Sequence, residues 1–170
     1  MDRREFQDLL THMEWADALT WRAARVAPSA LTDERLKYLL HHMHLVQEVY
    51  LQAWRGDPFK LVELTGFSDL AAIEAWATPY YRLVSEYART VDELKFSEPV
   101  DFPWSQLIAD KFGKILPATL SESAWQVFSH TTYHRGQVAV RLRELGGEPP
   151  LVDFLVWVWS GKPAPEWAAD

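Results

Sequence analysis

The strongest constraint on the fold is the recurrence of apolar residues at three- and four-residue steps along four long stretches. In the first, from about Asp2 to Val26, the series is Phe6, Leu9, Leu10, Met13, Ala16, Leu19 and Ala23, and Pro28 stops it. The second runs through Leu36, Leu39, Leu40, Met43, Val46, Tyr50 and Trp54, with Thr32 or Asp33 as its cap and Gly56-Asp57-Pro58 as its end. The third begins near Ser68-Asp69 and carries Leu70, Ile73, Ala77, Tyr80, Tyr81, Val84 and Tyr87, with Pro79 predicting a kink or a shortened helix. The fourth, capped by Thr119 or Ser121, carries Val127, Thr131, His134, Val138, Leu142 and Leu145, and Gly146-Gly147 supplies the left-handed residue that closes it. Between the third and fourth, residues 91–118 lose the helical period and are punctuated by Pro99, Pro103, Gly113 and Pro117; LKF and PVDF offer at most short extended pieces. Leu151 to Trp159 is a last short apolar element, and the tail from Gly161 reads as loop. Four amphipathic helices without convincing strands predict an all-α, four-helix bundle with a short extra C-terminal helical element.

Composition narrows the function. The 170 residues suit one domain, 1–170, large enough to bury a core without staples. The absence of Cys removes disulfides, thiolate zinc sites, iron–sulfur clusters and a cysteine nucleophile together. A net charge of −7 argues against nucleic acid as a partner, because phosphate neutralisation needs a basic surface. The start, MDRREFQDLL, lacks the apolar core of a signal peptide, and the apolar stretch Leu151–Trp159 carries Asp153 and is too short to span a bilayer. The expectation is a cytoplasmic protein with no membrane association. Nine Trp must fill a bulky core or line a pocket, and core is the commoner use.

No Walker sequence, G-x-G-x-x-G or G-x-S-x-G elbow is present, and no carboxylate pair stands out. The histidines are the remaining candidates. His130 and His134 lie one helical turn apart in SHTTYHRGQV, close to the apolar stripe of the fourth helix. Two imidazoles at i and i+4 lie one above the other and can share a metal ion. The residues between them are Thr-Thr-Tyr rather than the Glu-containing run of H-E-x-x-H, so zincin protease chemistry is not supported. A third ligand must come from another helix. On the second helix, His41 points away from the apolar stripe and should be solvated, whereas His42 and His44 flank it on opposite sides. His42 shares its side with Val46, Val49 and Ala53, and His44 with Lys37 and Glu48, which favours His42 as the inward residue without excluding His44. His12 reads as exposed or capping. Arg135 suits an anion-orienting role or a structural ion pair equally well. Gly136 in mid-helix costs about 1 kcal/mol relative to Ala and suggests close approach of a neighbouring helix.

Three stretches carry a resemblance: HMEWADALTW on the first helix, LLHHMHLVQEVYLQAW on the second, and HTTYHRGQVAVRLRELGGEPP on the fourth. Together they resemble the DinB/YfiT-like family of bacterial proteins read as metalloenzymes. The last stretch is the most specific, containing H-x-x-x-H-R-G-Q; on the first helix Asp17 stands in the family's Asn place. Residues 56–118 contribute little. The resemblance implies a four-helix bundle with one divalent metal ion, zinc or nickel, near one end. It selects His42 rather than His41 or His44, so that the implied ligands are His42, His130 and His134. It also implies a small-molecule substrate, a homodimer, and either a thiol-cofactor-dependent S-transferase using a low-molecular-weight thiol or a hydrolase using metal-bound water. The alternative is a non-catalytic metal- or small-molecule-binding protein of the same fold.

Overall fold

The structure is a computed structural model that describes residues 1–167. α1 (Arg3–Val26) opens on a capping box: Glu5 N–H donates to Asp2 Oδ1 at 2.8 Å, and Asp2 N–H donates to Glu5 Oε2 at 2.9 Å. α2 (Glu34–Arg55) is capped by Asp33, whose Oδ1 accepts from Leu36 N–H at 2.7 Å, and ends at Gly56, where φ of 68° is the left-handed turn that glycine adopts without penalty. The third amphipathic stretch is two helices, α3 (Leu70–Ala77) and α4 (Pro79–Thr90). Pro79 cannot donate to the helical ladder, so it becomes the first residue of a new helix. The two-residue strands β1 (Pro99–Val100) and β2 (Ala118–Thr119) pair antiparallel and bracket α5 (Ser105–Phe112). α6 (Leu120–Glu144) starts on a Thr119–Glu122 capping box, and α7 (Phe154–Trp159) is the C-terminal element.

α5 corrects the expectation of a non-helical 91–118. It contains no buried residue, so its sequence has no core-facing stripe from which a period could be read.

The bundle consists of α1, α2, α3–α4 and α6. Its neighbours around the square are α1 with α6, α6 with α2, α2 with α3 and α4, and α4 with α1. Two apolar clusters fill it. At one end Phe6 of α1 meets Trp54, Phe96 and Phe128, with Tyr80, Val84 and Leu120 beside them. At the other Trp21 packs with Leu36, Leu40, Met43, Ile73, Val138 and Leu142. The starts of α1 and α6 therefore share an end with the finishes of α2 and α4, so α1 and α6 run one way and α2 and α3–α4 the other. That topology forces the α2–α3 connection to travel back along α2. It does so, tied down by Gln52 to Lys60 (Lys60 N–H to Gln52 Oε1, 2.8 Å) and by His41 Nε2–H to the Val62 carbonyl at 2.8 Å. His41 is thus 5% exposed rather than solvated, because this returning segment covers it.

α7 closes the outer side of α1, where Trp157 packs on Trp15 and Ala16. Among the described residues, no helix is long and apolar enough to cross a membrane.

Candidate metal centre

Between its two apolar clusters the bundle carries a polar layer that fixes how the helices register. Asp17 on α1, 0% exposed, accepts from Arg135 Nε on α6 at 2.8 Å through Oδ1. Its Oδ2 accepts from Gln47 Nε2 on α2 at 2.9 Å and from the Tyr81 hydroxyl on α4. Gln47 Nε2 also reaches Thr131 Oγ1 at 3.3 Å, and its Oε1 accepts from His44 Nδ1 at 2.8 Å. The Trp21 indole N–H, which can only donate, meets His44 Nε2 at 2.8 Å. That contact assigns His44 as a neutral ring with its proton on Nδ1, which donates to Gln47. Burial pushes the His44 pKa down, against the pull of the Asp17 charge. Burial also opposes ionisation of Asp17, but the Arg135 charge, with hydrogen bonds from Tyr81 and Gln47, outweighs it and holds the carboxyl below its usual range.

This layer accounts for Arg135 and His44. Arg135 is the structural ion-pair partner of the two roles considered, with both side chains buried. His44 does not flank the stripe; it is 2% exposed at the bundle centre and wholly occupied by Trp21 and Gln47. His12 is half-buried, and its Nε2–H donates to the Val152 carbonyl at 2.9 Å, which anchors the segment before α7. Gly136 meets no neighbouring atom that a Cβ would approach within 4 Å, so it permits no close helix contact and the structure gives no account of it.

The remaining histidines converge. His42 on α2 and His130 and His134 on the adjoining, antiparallel α6 form a half-buried group whose ligand-capable atoms all lie within 4.8 Å of one another. The His42 ring lies edge-on to His134, with centroids 4.6 Å apart, and 5.3 Å from His130. His130 and His134 Nε2 atoms are 3.1 Å apart. Two nitrogens bound at about 2.0–2.1 Å to one tetrahedral ion sit roughly 3.3 Å apart, so the pair is already close to ligand spacing. Gln137, one turn beyond His134, sets the presentation: His134 Nδ1–H donates to Gln137 Oε1 at 2.8 Å, which leaves the Nε2 lone pair aimed at His130. His130 Nδ1 is buried without a partner.

Electrostatics favour the neutral rings of His130 and His42, the form that donates lone pairs. Burial, then the neighbouring His134 and His42 rings, lower the His130 pKa to about 4. Burial, then His134 and His41, lower that of His42. Tyr38 stacks on His42 from the solvent side, with ring planes 10° apart, and Tyr133 lies edge-on to His134. Three converging imidazoles, one oriented by a carbonyl and one with an orphaned nitrogen, fit a borderline-soft divalent ion with open positions for exogenous ligands.

Sequence reasoning placed His42, His130 and His134 in one site and the structure brings them together. It missed the positioning role of Gln137, although the i+3 spacing from His134 was readable, and it missed the polar layer. The signal for that layer was present as polar residues at inward positions: Asp17, Gln47 and Thr131 each interrupt an apolar stripe.

A family model described as DinB family matches residues 1–166 of the chain. No curated protein matches it.

Proposed function

The chain belongs to the DinB family, and from that premise we propose that it is a divalent-metal-dependent enzyme whose ion is held by His42, His130 and His134. The observation that carries this reading is the convergence of three imidazoles from two helices, with ligand-capable atoms within 4.8 Å of one another and the His130–His134 pair near ligand spacing. An ion bound there would act as a Lewis acid, acidifying water or a small thiol at neutral pH. The chain's own contributions are orientation and exclusion. Gln137 holds the His134 tautomer, the Asp17–Arg135 pair fixes α6 against α1 beneath the site, and Tyr38 and Tyr133 shield its outer face. Zinc or nickel is the expected metal, and the reaction is hydrolysis or thiol-dependent group transfer of a small-molecule substrate. With no Cys in the chain, any thiol must come from outside.

The test is metal content by mass spectrometry in protein purified without an affinity tag. The wild type and His41→Ala should carry about one equivalent, and His42→Ala, His130→Ala and His134→Ala less than about one-tenth, each with helical circular dichroism intact. A wild type without metal, or full occupancy in all three ligand variants, overturns the proposal. A screen of metal-loaded protein with glutathione, bacillithiol or mycothiol against electrophiles, beside ester and amide hydrolysis, separates the two reactions. We further propose a homodimer, supported by exposed Trp125, Tyr133 and Trp159 on the outer faces of α6 and α7. Light scattering at the mass of one chain across concentrations would refute it.

A further inference from the structure

A second feature lies on the same helix pair as the histidines. Stepping four residues at a time along α6 from His134 gives His130, Gln126 and Glu122; stepping along α2 from Tyr38 gives His42, Val46 and Tyr50. Residues four apart share a helix face, so these two ridges border one groove, and the antiparallel packing of α2 on α6 sets Tyr50 opposite Glu122 and Gln126. At that end the groove opens into a cavity of about 590 Å³, within the range of small-molecule sites. One helical turn, about 6 Å, separates His130 from the cavity-lining Gln126.

The segment β1–α5–β2 builds the far wall. Tyr50, Phe102 and Trp104 form an aromatic triad with centroids 5.1 to 5.3 Å apart. Ile108, Ile115 and Leu116 complete an apolar wall while remaining 39%, 37% and 79% exposed, surface available to an apolar occupant. Among the described residues, the charged ones lining the cavity are Asp101 and Glu122, with no Lys, Arg or His. Glu122 is engaged at the start of α6, where its Oε2 accepts from Thr119 N–H at 2.7 Å, yet its negative charge stays at the cavity edge. A carboxylate or phosphate inside would face two like charges and find no cationic partner, within a protein of net charge −7.

We propose that the cavity walled by Tyr50, Phe102, Trp104 and α5 binds the substrate of the histidine site, and that this substrate is an aromatic molecule without negative charge on its ring-bearing part. A ring inserts against the triad, an amine on it is met by Asp101, and its reacting group points along the groove toward His130. The last clause rests on the metal-site reading; the binding of the aromatic part does not.

The experiment is isothermal titration of the full chain with three matched probes: 1-naphthylmethylamine, 1-naphthalenemethanol and 1-naphthoate. Each is run on protein as purified, with its metal content measured, and again after chelation. The amine should bind at least about tenfold more tightly than the carboxylate in chelated protein, with the alcohol between. Trp104→Ala should weaken amine and alcohol alike by about tenfold, and Asp101→Asn should remove the advantage of the amine over the alcohol while leaving the alcohol unchanged. Asp101 is exposed, so its substitution does not endanger the fold. Naphthoate binding chelated protein as tightly as the amine, no measurable binding of either uncharged or cationic probe, or indifference to Trp104→Ala, overturns the inference. A protein that binds the amine as described but carries no metal sinks the metal reading alone.

Discussion

Asp17→Asn is the substitution that most directly tests how the bundle is held. The change keeps the shape of the side chain and removes its charge. Arg135 is then left with a buried guanidinium, 5% exposed, and no counter-charge. The new amide also has no good orientation. If its NH2 takes the Oδ2 place it faces the Gln47 NH2; if it takes the Oδ1 place it faces Arg135 Nε–H. Gln47 cannot turn to accept, because its Oε1 already receives His44 Nδ1–H, and His44 cannot change tautomer while Trp21 donates to its Nε2. The mismatch therefore has nowhere to relax.

Breaking a buried ion pair by removing one partner costs about 3–5 kcal/mol, a large share of a typical stability of about 5–15 kcal/mol. At about 2–4 °C per kcal/mol for a chain of this size, Tm should fall by roughly 6–20 °C. Urea and thermal unfolding followed by circular dichroism measure it at pH 7. The pH dependence has a fixed sign. Because the folded carboxyl lies below its usual range, its contribution is complete above the unfolded value of about 3.9 and is lost as pH falls through the folded one. The gap between wild type and variant should therefore narrow in acid. The double variant Asp17→Leu/Arg135→Met leaves no buried charge and should recover part of the loss. A fall of less than about 1 kcal/mol for Asp17→Asn would refute the reasoning.

Gln137→Ala should weaken metal binding about 10–100-fold and Gln137→Glu should restore most of it, as read by competition with a chromophoric chelator; equal affinity in wild type and Gln137→Ala would show that His134 needs no orienting carbonyl. Asp33→Ala removes both the α2 cap and the paired contacts from Arg141, Nε to Oδ1 at 3.0 Å and Nη2 to Oδ2 at 2.5 Å. It should cost about 1–2 kcal/mol in urea unfolding, with the surface-facing ion pair the smaller part. His41→Ala should lose about 0.5–1.5 kcal/mol with the Val62 hydrogen bond and leave bound metal unchanged, whereas loss of metal would place His41 in the site. Metal-free protein should lose stability as pH falls from about 6.5, the unfolded value, toward 4. His12, His42, His44 and His130 all have depressed folded pKa values, so over that window the unfolded chain binds more protons. An unchanged urea midpoint between pH 7 and pH 5 would contradict this.

The elements that sequence reveals here are those whose one buried face is written into their own residues. α1, α2 and α6 each carry such a stripe and a local cap, and the i,i+4 spacing of His130 and His134 is a property of one helix. α5 buries nothing, so its sequence bears no imprint of what it packs against. His41 and His44 show the same limit from the other side. A helical wheel places them by the angle to the apolar stripe of α2, but what decides their surroundings is non-local: the returning segment that ends on His41, and Trp21, twenty-three positions earlier, that ends on His44.

The polar layer makes the point most strongly, because each member considered alone looks like an error. Asp17, Gln47, Thr131 and Arg135 occupy inward positions where an apolar residue would pack at lower desolvation cost. The arrangement is favourable only when α1, α2, α4 and α6 meet at one level, since an axial slip of α1 by about one turn separates Asp17 from all three of its donors at once. A layer of this kind therefore discriminates against misregistered bundles more than it adds to stability. That is the requirement of the site beside it. Thr131 and Arg135 each adjoin a histidine of the α6 pair, and Gln47 lies on the helix that delivers His42, so the contacts that set the register of α2 against α6 also set the spacing of the three imidazoles.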